Sequence, residues 1–119
     1  MNIRPRLEVA EMDIAMMNAM GVKSYVRTNV ELWKEVGLCV HRFDDEEYHE
    51  WRVSHYDSGR LIVKRIWDRK EAIRTMMQLR TILLDWRAPY EQMMQMAGQR
   101  PIMERVVALQ YLIDTKGSV

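Results

Sequence analysis

Apolar residues recur at three- or four-residue steps near the start of the chain, at Leu7, Ala10, Ile14, Met17 and Met20. This spacing places them on one face of a helix. Pro5 suits the first helical turn, and Gly21 ends the pattern. The N-terminal segment is therefore predicted to form a first helix that stops before Gly21.

The next segment combines a helix signature with a short strand pattern. Thr28 and Glu31 form a capping box, because the two side chains can satisfy backbone donors at a helix start. Gly37 is a natural stop, so a short second helix is expected over about residues 29–36. Leu38 to Phe43 then indicates a strand that enters a solvated acidic loop at Asp44 to Glu47.

A hairpin from Tyr48 to Trp67 is the clearest local pattern, with Asp57, Ser58 and Gly59 as its turn. If Tyr56 faces Arg60, one face of the hairpin is apolar and carries Trp51, Val53, Leu61, Val63 and Trp67. The opposite face then carries Arg52, Ser54, Tyr56, Arg60, Ile62, Lys64 and Ile66. Because a slip of one residue would exchange the faces, this separation predicts the register.

A long helix is expected after the hairpin. Asp68 and Glu71 form its N-terminal cap signature, and its apolar stripe runs to about Trp86. This helix should cover the Trp51 face of the sheet. Pro89 breaks it, and residues 90–97 and 102–114 are predicted to form two more helices. The expected fold class is α+β, with a three-stranded antiparallel sheet covered by a long helix and additional N- and C-terminal helices.

Composition supports one domain spanning residues 1–119. The chain is 48% hydrophobic and carries 18 basic against 17 acidic residues, which is ordinary for a globular protein. Cys39 is the only cysteine, so a reducing, cytoplasmic environment is expected. Charges interrupt the N-terminal apolar residues, which predicts no signal peptide and no membrane span. Eight of the eleven methionines gather in helical spacing, either as core filling or as an adaptable interaction surface: Met16, Met17, Met20, Met76, Met77, Met93, Met94 and Met96.

Catalytic and metal-binding motifs are lacking in the sequence. It has no phosphate-binding glycine loop, paired-cysteine motif or nucleophile elbow. His41, His49 and His55 flank the acidic run without a compact ligand spacing, and Cys39 with His41 makes only a weak nucleophile pair. We expect no enzymatic activity, no cofactor and no metal.

Basic residues concentrate in the hairpin and in the first turns of the long helix. The candidate binding residues for nucleic acid or another partner are Arg52, Tyr56, Arg60, Lys64, Arg69, Lys70 and Arg74. Their mixture of positive and aromatic side chains suits phosphate contacts and base stacking. The alternative interpretation is a solvated sheet face, which Arg and Lys also fill well.

Residues 29–86 resemble the double-stranded-RNA-binding domain in their helix, three strands and helix. His49 to Val53 is similar to that family's second strand, and Arg69 to Ala72 to the basic start of its last helix. The segment also resembles the integrase-type three-stranded DNA-binding domain, through Trp67-Asp68 leading into Lys70-Glu71-Ala72. The first family implies an RNA contact through the helix, and the second a DNA contact through the sheet face.

The absence of a reaction site favours a binding function. We expect a small non-catalytic protein-binding module, a regulator or inhibitor of phage or mobile-element type that occludes a surface of its partner. The alternative is a nucleic-acid-binding protein that uses the basic hairpin face and the start of the long helix. Another protein is the expected partner, and the sequence leaves open whether the chain forms a homo-oligomer.

Overall fold

The computed structural model describes residues 5–17, 20–21, 23–44, 49–82, 86–89, 92 and 99–116. These residues form a five-stranded antiparallel sheet with two helices. The strands are β1 (Glu8–Met17), β2 (Lys23–Trp33), β3 (Leu38–Asp44), β4 (His49–His55) and β5 (Leu61–Ile66). The helices are α1 (Arg69–Ile82) and α2 (Gln99–Lys116). The strands lie side by side in chain order, so each one pairs with its neighbour in the sequence.

The two N-terminal helices predicted from the sequence are wrong, because residues 8–17 and 23–33 are strands and residues 34–37 form a turn. β1 pairs with β2 along its whole length, from Glu8 opposite Leu32 to Met17 opposite Lys23. The alternation of Glu11 and Asp13 with apolar neighbours is the period of a half-buried strand, and it coexists with the helical spacing. The α+β class is therefore correct, whereas the three-stranded sheet with flanking terminal helices is not.

Two apolar clusters lie on opposite faces of the sheet. The larger one lies between the sheet and the helices and contains Trp33, Val36, Leu38, Val40, Val53, Val63, Ile66, Ala72, Met76, Leu79, Trp86 and Val106. The smaller one contains Met12, Ile14, Val30, Leu32 and Cys39. Met12 and Met76 are thus core residues, whereas Met20 is 87% exposed, so core filling does not account for all of the methionines.

The hairpin of β1 and β2 lies across the face that carries the smaller cluster. β2 pairs with β3 only at its last three residues, so most of this hairpin extends beyond β3. Met12 Sδ then lies 3.7 Å from Cys39 Sγ, and Tyr56 Oη donates to the Glu11 carbonyl over 3.4 Å. Gly59 has a φ of 71°, and a Cβ there would lie 2.6 Å from the Asp13 carbonyl oxygen. Glycine is needed at this turn for both reasons.

The predicted hairpin register holds at its centre and fails on both sides. Val53 pairs with Val63, and both are fully buried. Register shifts on either side place Trp51 opposite Ile66 and Ser54 opposite Leu61. As a result Ile66 is buried, whereas Leu61 and Trp67, both assigned to the covered face, are exposed.

The long helix is confirmed at its start. Asp68 Oδ1 accepts the Glu71 backbone N–H over 2.8 Å, as the cap signature predicts. The described helix ends at Ile82, and Trp86 is buried without being helical. The predicted helix at 102–114 corresponds to α2, while the one at 90–97 falls almost entirely outside the described residues.

Candidate functional site

Helix α2 is held firmly against the outer strand of the sheet. Val106 on its inner side is buried in the larger cluster. The Gln110 side chain accepts the Lys64 backbone N–H over 2.9 Å and donates to the Lys64 carbonyl over 2.8 Å. Arg65 reaches Asp114 at 3.4 Å. Gln110 thus binds the two backbone groups of Lys64 that a sixth strand would otherwise pair with. These bonds hold α2 against the edge of β5.

The opposite side of α2 is apolar and open to solvent. We define the outer face of α2 by its eight exposed residues: Met103, Glu104, Arg105, Val107, Ala108, Tyr111, Leu112 and Thr115. Val107, Tyr111 and Leu112 are 63%, 67% and 58% exposed, respectively. Residues four apart on a helix are neighbours, so Val107 and Tyr111 form one row and Ala108 and Leu112 form a second row beside it. The two rows form a continuous apolar patch on a helix whose other side is anchored to the sheet.

Trp67 is a further exposed aromatic residue in the described part of the chain. It is 84% exposed and follows directly after β5. Arg65, two residues earlier, makes the contact with Asp114 of α2. Tryptophan is enriched among residues that dominate binding free energy, so the exposed Trp67 is a separate candidate contact for a partner.

The residues predicted to bind nucleic acid lie on both sides of the sheet. Arg52 is paired across the sheet with His41 and so shares the face that carries Cys39. Arg69, Lys70 and Arg74 belong to α1, which packs on the opposite face. The structure therefore does not join these residues into one continuous surface.

Three of the predicted basic residues already pair with carboxylates of the chain. Arg52 contacts Glu50 at 3.2 Å and stacks 3.7 Å from the Phe43 ring centre. Arg69 donates two hydrogen bonds to Glu31, at 2.6 and 2.7 Å, and Glu31 raises the pKa of Arg69. Arg74 donates to Glu71 over 2.8 Å.

The remaining predicted site residues are Tyr56, Arg60, Lys64 and Lys70. Tyr56 binds the Glu11 carbonyl, as described above, and is half-buried. Lys64 is also half-buried, and its backbone is bonded to Gln110. Arg60 and Lys70 are exposed, one in the hairpin turn region and the other in the first turn of α1.

A histidine and a serine lie together inside the sheet, although neither can reach a substrate. His41 Nε2 is 2.8 Å from Ser54 Oγ, and both residues are 1% exposed. Burial lowers the pKa of His41 to about 4, against a smaller opposing effect of a backbone hydrogen bond with Arg42. No carboxylate among the described residues is hydrogen-bonded to Nδ1, as a general base would need. We interpret this pair as structural.

Cys39 and the remaining histidines show no catalytic or metal-binding arrangement in the described residues. Burial raises the pKa of the Cys39 thiol to about 12, so it stays protonated at neutral pH. His55 uses both ring nitrogens, at 2.7 Å from Ser58 Oγ and 3.0 Å from the Ala88 carbonyl. Within the described ranges, no three His, Cys, Asp or Glu side chains are grouped so that they could hold a metal ion.

Sequence reasoning did not single out the outer face of α2. The signal was present, because residues 106–113 are apolar on two sides of one helix: Val106, Leu109 and Ile113 face inward, and Val107, Tyr111 and Leu112 face outward.

In the part of the chain that the structure describes, neither helix is long and apolar enough to span a membrane. No protein-family model matches the chain, and no curated protein or solved structure matches it either.

Proposed function

We propose that this protein is a non-catalytic protein-binding module that engages its partner through the outer face of α2 and thereby occludes a surface of that partner. One observation carries the proposal. Val107, Tyr111 and Leu112 are each more than half exposed on a helix whose inner side is anchored to the sheet. Contiguous exposed apolar patches on small domains are typical of interaction sites.

The energetics favour this face as an interface. Full burial of a large apolar side chain contributes about 1.5–3 kcal/mol relative to leaving it in water. The helix backbone is already ordered, because Gln110 and Val106 hold it, so binding requires little further loss of conformational entropy. Tyrosine adds a rigid ring with a polar tip, which suits the centre of a protein interface.

The nucleic-acid alternative has weaker support. Arg52, Arg69 and Arg74 would have to exchange carboxylate partners for phosphates, which reduces the net gain from each contact. The two groups of basic residues also lie on opposite faces of the sheet. A protein partner needs no such rearrangement, because the α2 patch is already exposed.

Site-specific photocrosslinking tests the proposal. A benzophenone amino acid at position 111, in cells that normally contain this protein, is expected to give a protein adduct that Leu112→Asp abolishes. Position 25 is the matched control, because Tyr25 is 68% exposed on the β1 and β2 hairpin and Tyr111 is 67% exposed on α2. Equal adducts from both positions, or no adduct at 111, would contradict the proposal.

A further inference from the structure

We draw no further inference here: the strongest candidate, the surface groove between β1 and the turn at residues 57–59, carries none because Arg27 already pairs with its carboxylates Glu11 and Asp13 and nothing in the described part of the structure shows what covers it.

Discussion

The Glu50 carboxylate accepts a hydrogen bond from the backbone N–H of Arg65, with 2.6 Å between Oε2 and N. Arg65 has a φ of 62°, the only positive value at a non-glycine residue in the described part of the chain. This bond holds the backbone where β5 departs from regular pairing, and Ile66 consequently turns into the core. The same carboxylate accepts a hydrogen bond from Arg52, so one buried acidic group binds residues of both β4 and β5.

Glu50→Ala should destabilise the fold more than the loss of a surface ion pair. Glu50 is 4% exposed, and its removal leaves the Arg65 N–H and the Arg52 guanidinium without their carboxylate acceptor. We expect a loss of about 2–3 kcal/mol in the free energy of unfolding, measured by urea denaturation. Glu11→Ala is the control, because the Glu11 side chain is 60% exposed beside Arg27 and should cost less than about 1 kcal/mol. Equal losses would contradict the assigned role.

Arg65→Gly should be neutral or stabilising. Glycine adopts a positive φ without strain, which offsets the loss of the exposed contact with Asp114. We expect a change in the free energy of unfolding between zero and about 1 kcal/mol in favour of the variant. Lys64→Gly, at the preceding position of the same strand, should instead destabilise by about 1 kcal/mol. A similar loss in both variants would show that Arg65 carries no strain.

Local signals in the sequence predicted the parts of the fold that depend on neighbouring residues. The Asp68 cap, α1 and the pairing of Val53 with Val63 all follow from short-range patterns. The β1 and β2 strands could not be predicted from short-range patterns, because their apolar spacing fits either a helix or a strand. Pairing along the full hairpin decides between the two. Glu31, which was predicted to cap a helix, instead binds Arg69 of α1, a contact that no local pattern indicates.

The proposed binding surface was equally hard to predict. A helix was predicted at 102–114, but the sequence does not indicate which of its sides faces the sheet. The hydrogen bonds between Gln110 and the backbone of β5 determine that side. Which face remains exposed depends on that contact between distant segments. The basic residues pointed to a different surface, because the sequence did not reveal that Arg69 pairs with Glu31 of β2 and that Arg52 pairs with Glu50 of its own strand.

Stability should fall when the pH drops below neutrality, because His41 is buried in its neutral form. Its pKa is lowered to about 4, chiefly by burial and to a lesser extent by the charge of Arg52, while a backbone hydrogen bond with Arg42 and the charge of Glu50 oppose the shift. The unfolded chain takes up this proton near pH 6.5, so stability is complete above that value and is lost as the pH falls towards 4. The loss attributable to His41 is about 3 kcal/mol. Urea denaturation at several pH values should show a shallower dependence for His41→Leu, and an unchanged slope would contradict this origin.

Gln110→Ala should loosen α2 and expose the edge of β5. The variant loses both hydrogen bonds to the Lys64 backbone, which should cost about 1–2 kcal/mol in the free energy of unfolding. Hydrogen exchange at the Lys64 amide should accelerate at the same time. Gln78→Ala on the exposed side of α1 is the matched control and should change stability by less than about 0.5 kcal/mol. An unchanged Lys64 amide in Gln110→Ala would show that another group protects that edge.

Salt dependence separates the two candidate functions. Nucleic-acid binding releases condensed counterions, so affinity would fall steeply with added salt, whereas an interface made by Tyr111 and Leu112 would resist moderate salt. We expect no binding to labelled duplex DNA, duplex RNA or single strands in fluorescence anisotropy at low salt. Arg60 and Lys70 are two of the exposed cations among the predicted site residues, and they provide the decisive variants. If binding did occur, and if Arg60→Ala and Lys70→Ala each flattened the salt slope by about one unit, those residues would be phosphate contacts and the nucleic-acid alternative would replace the proposed function.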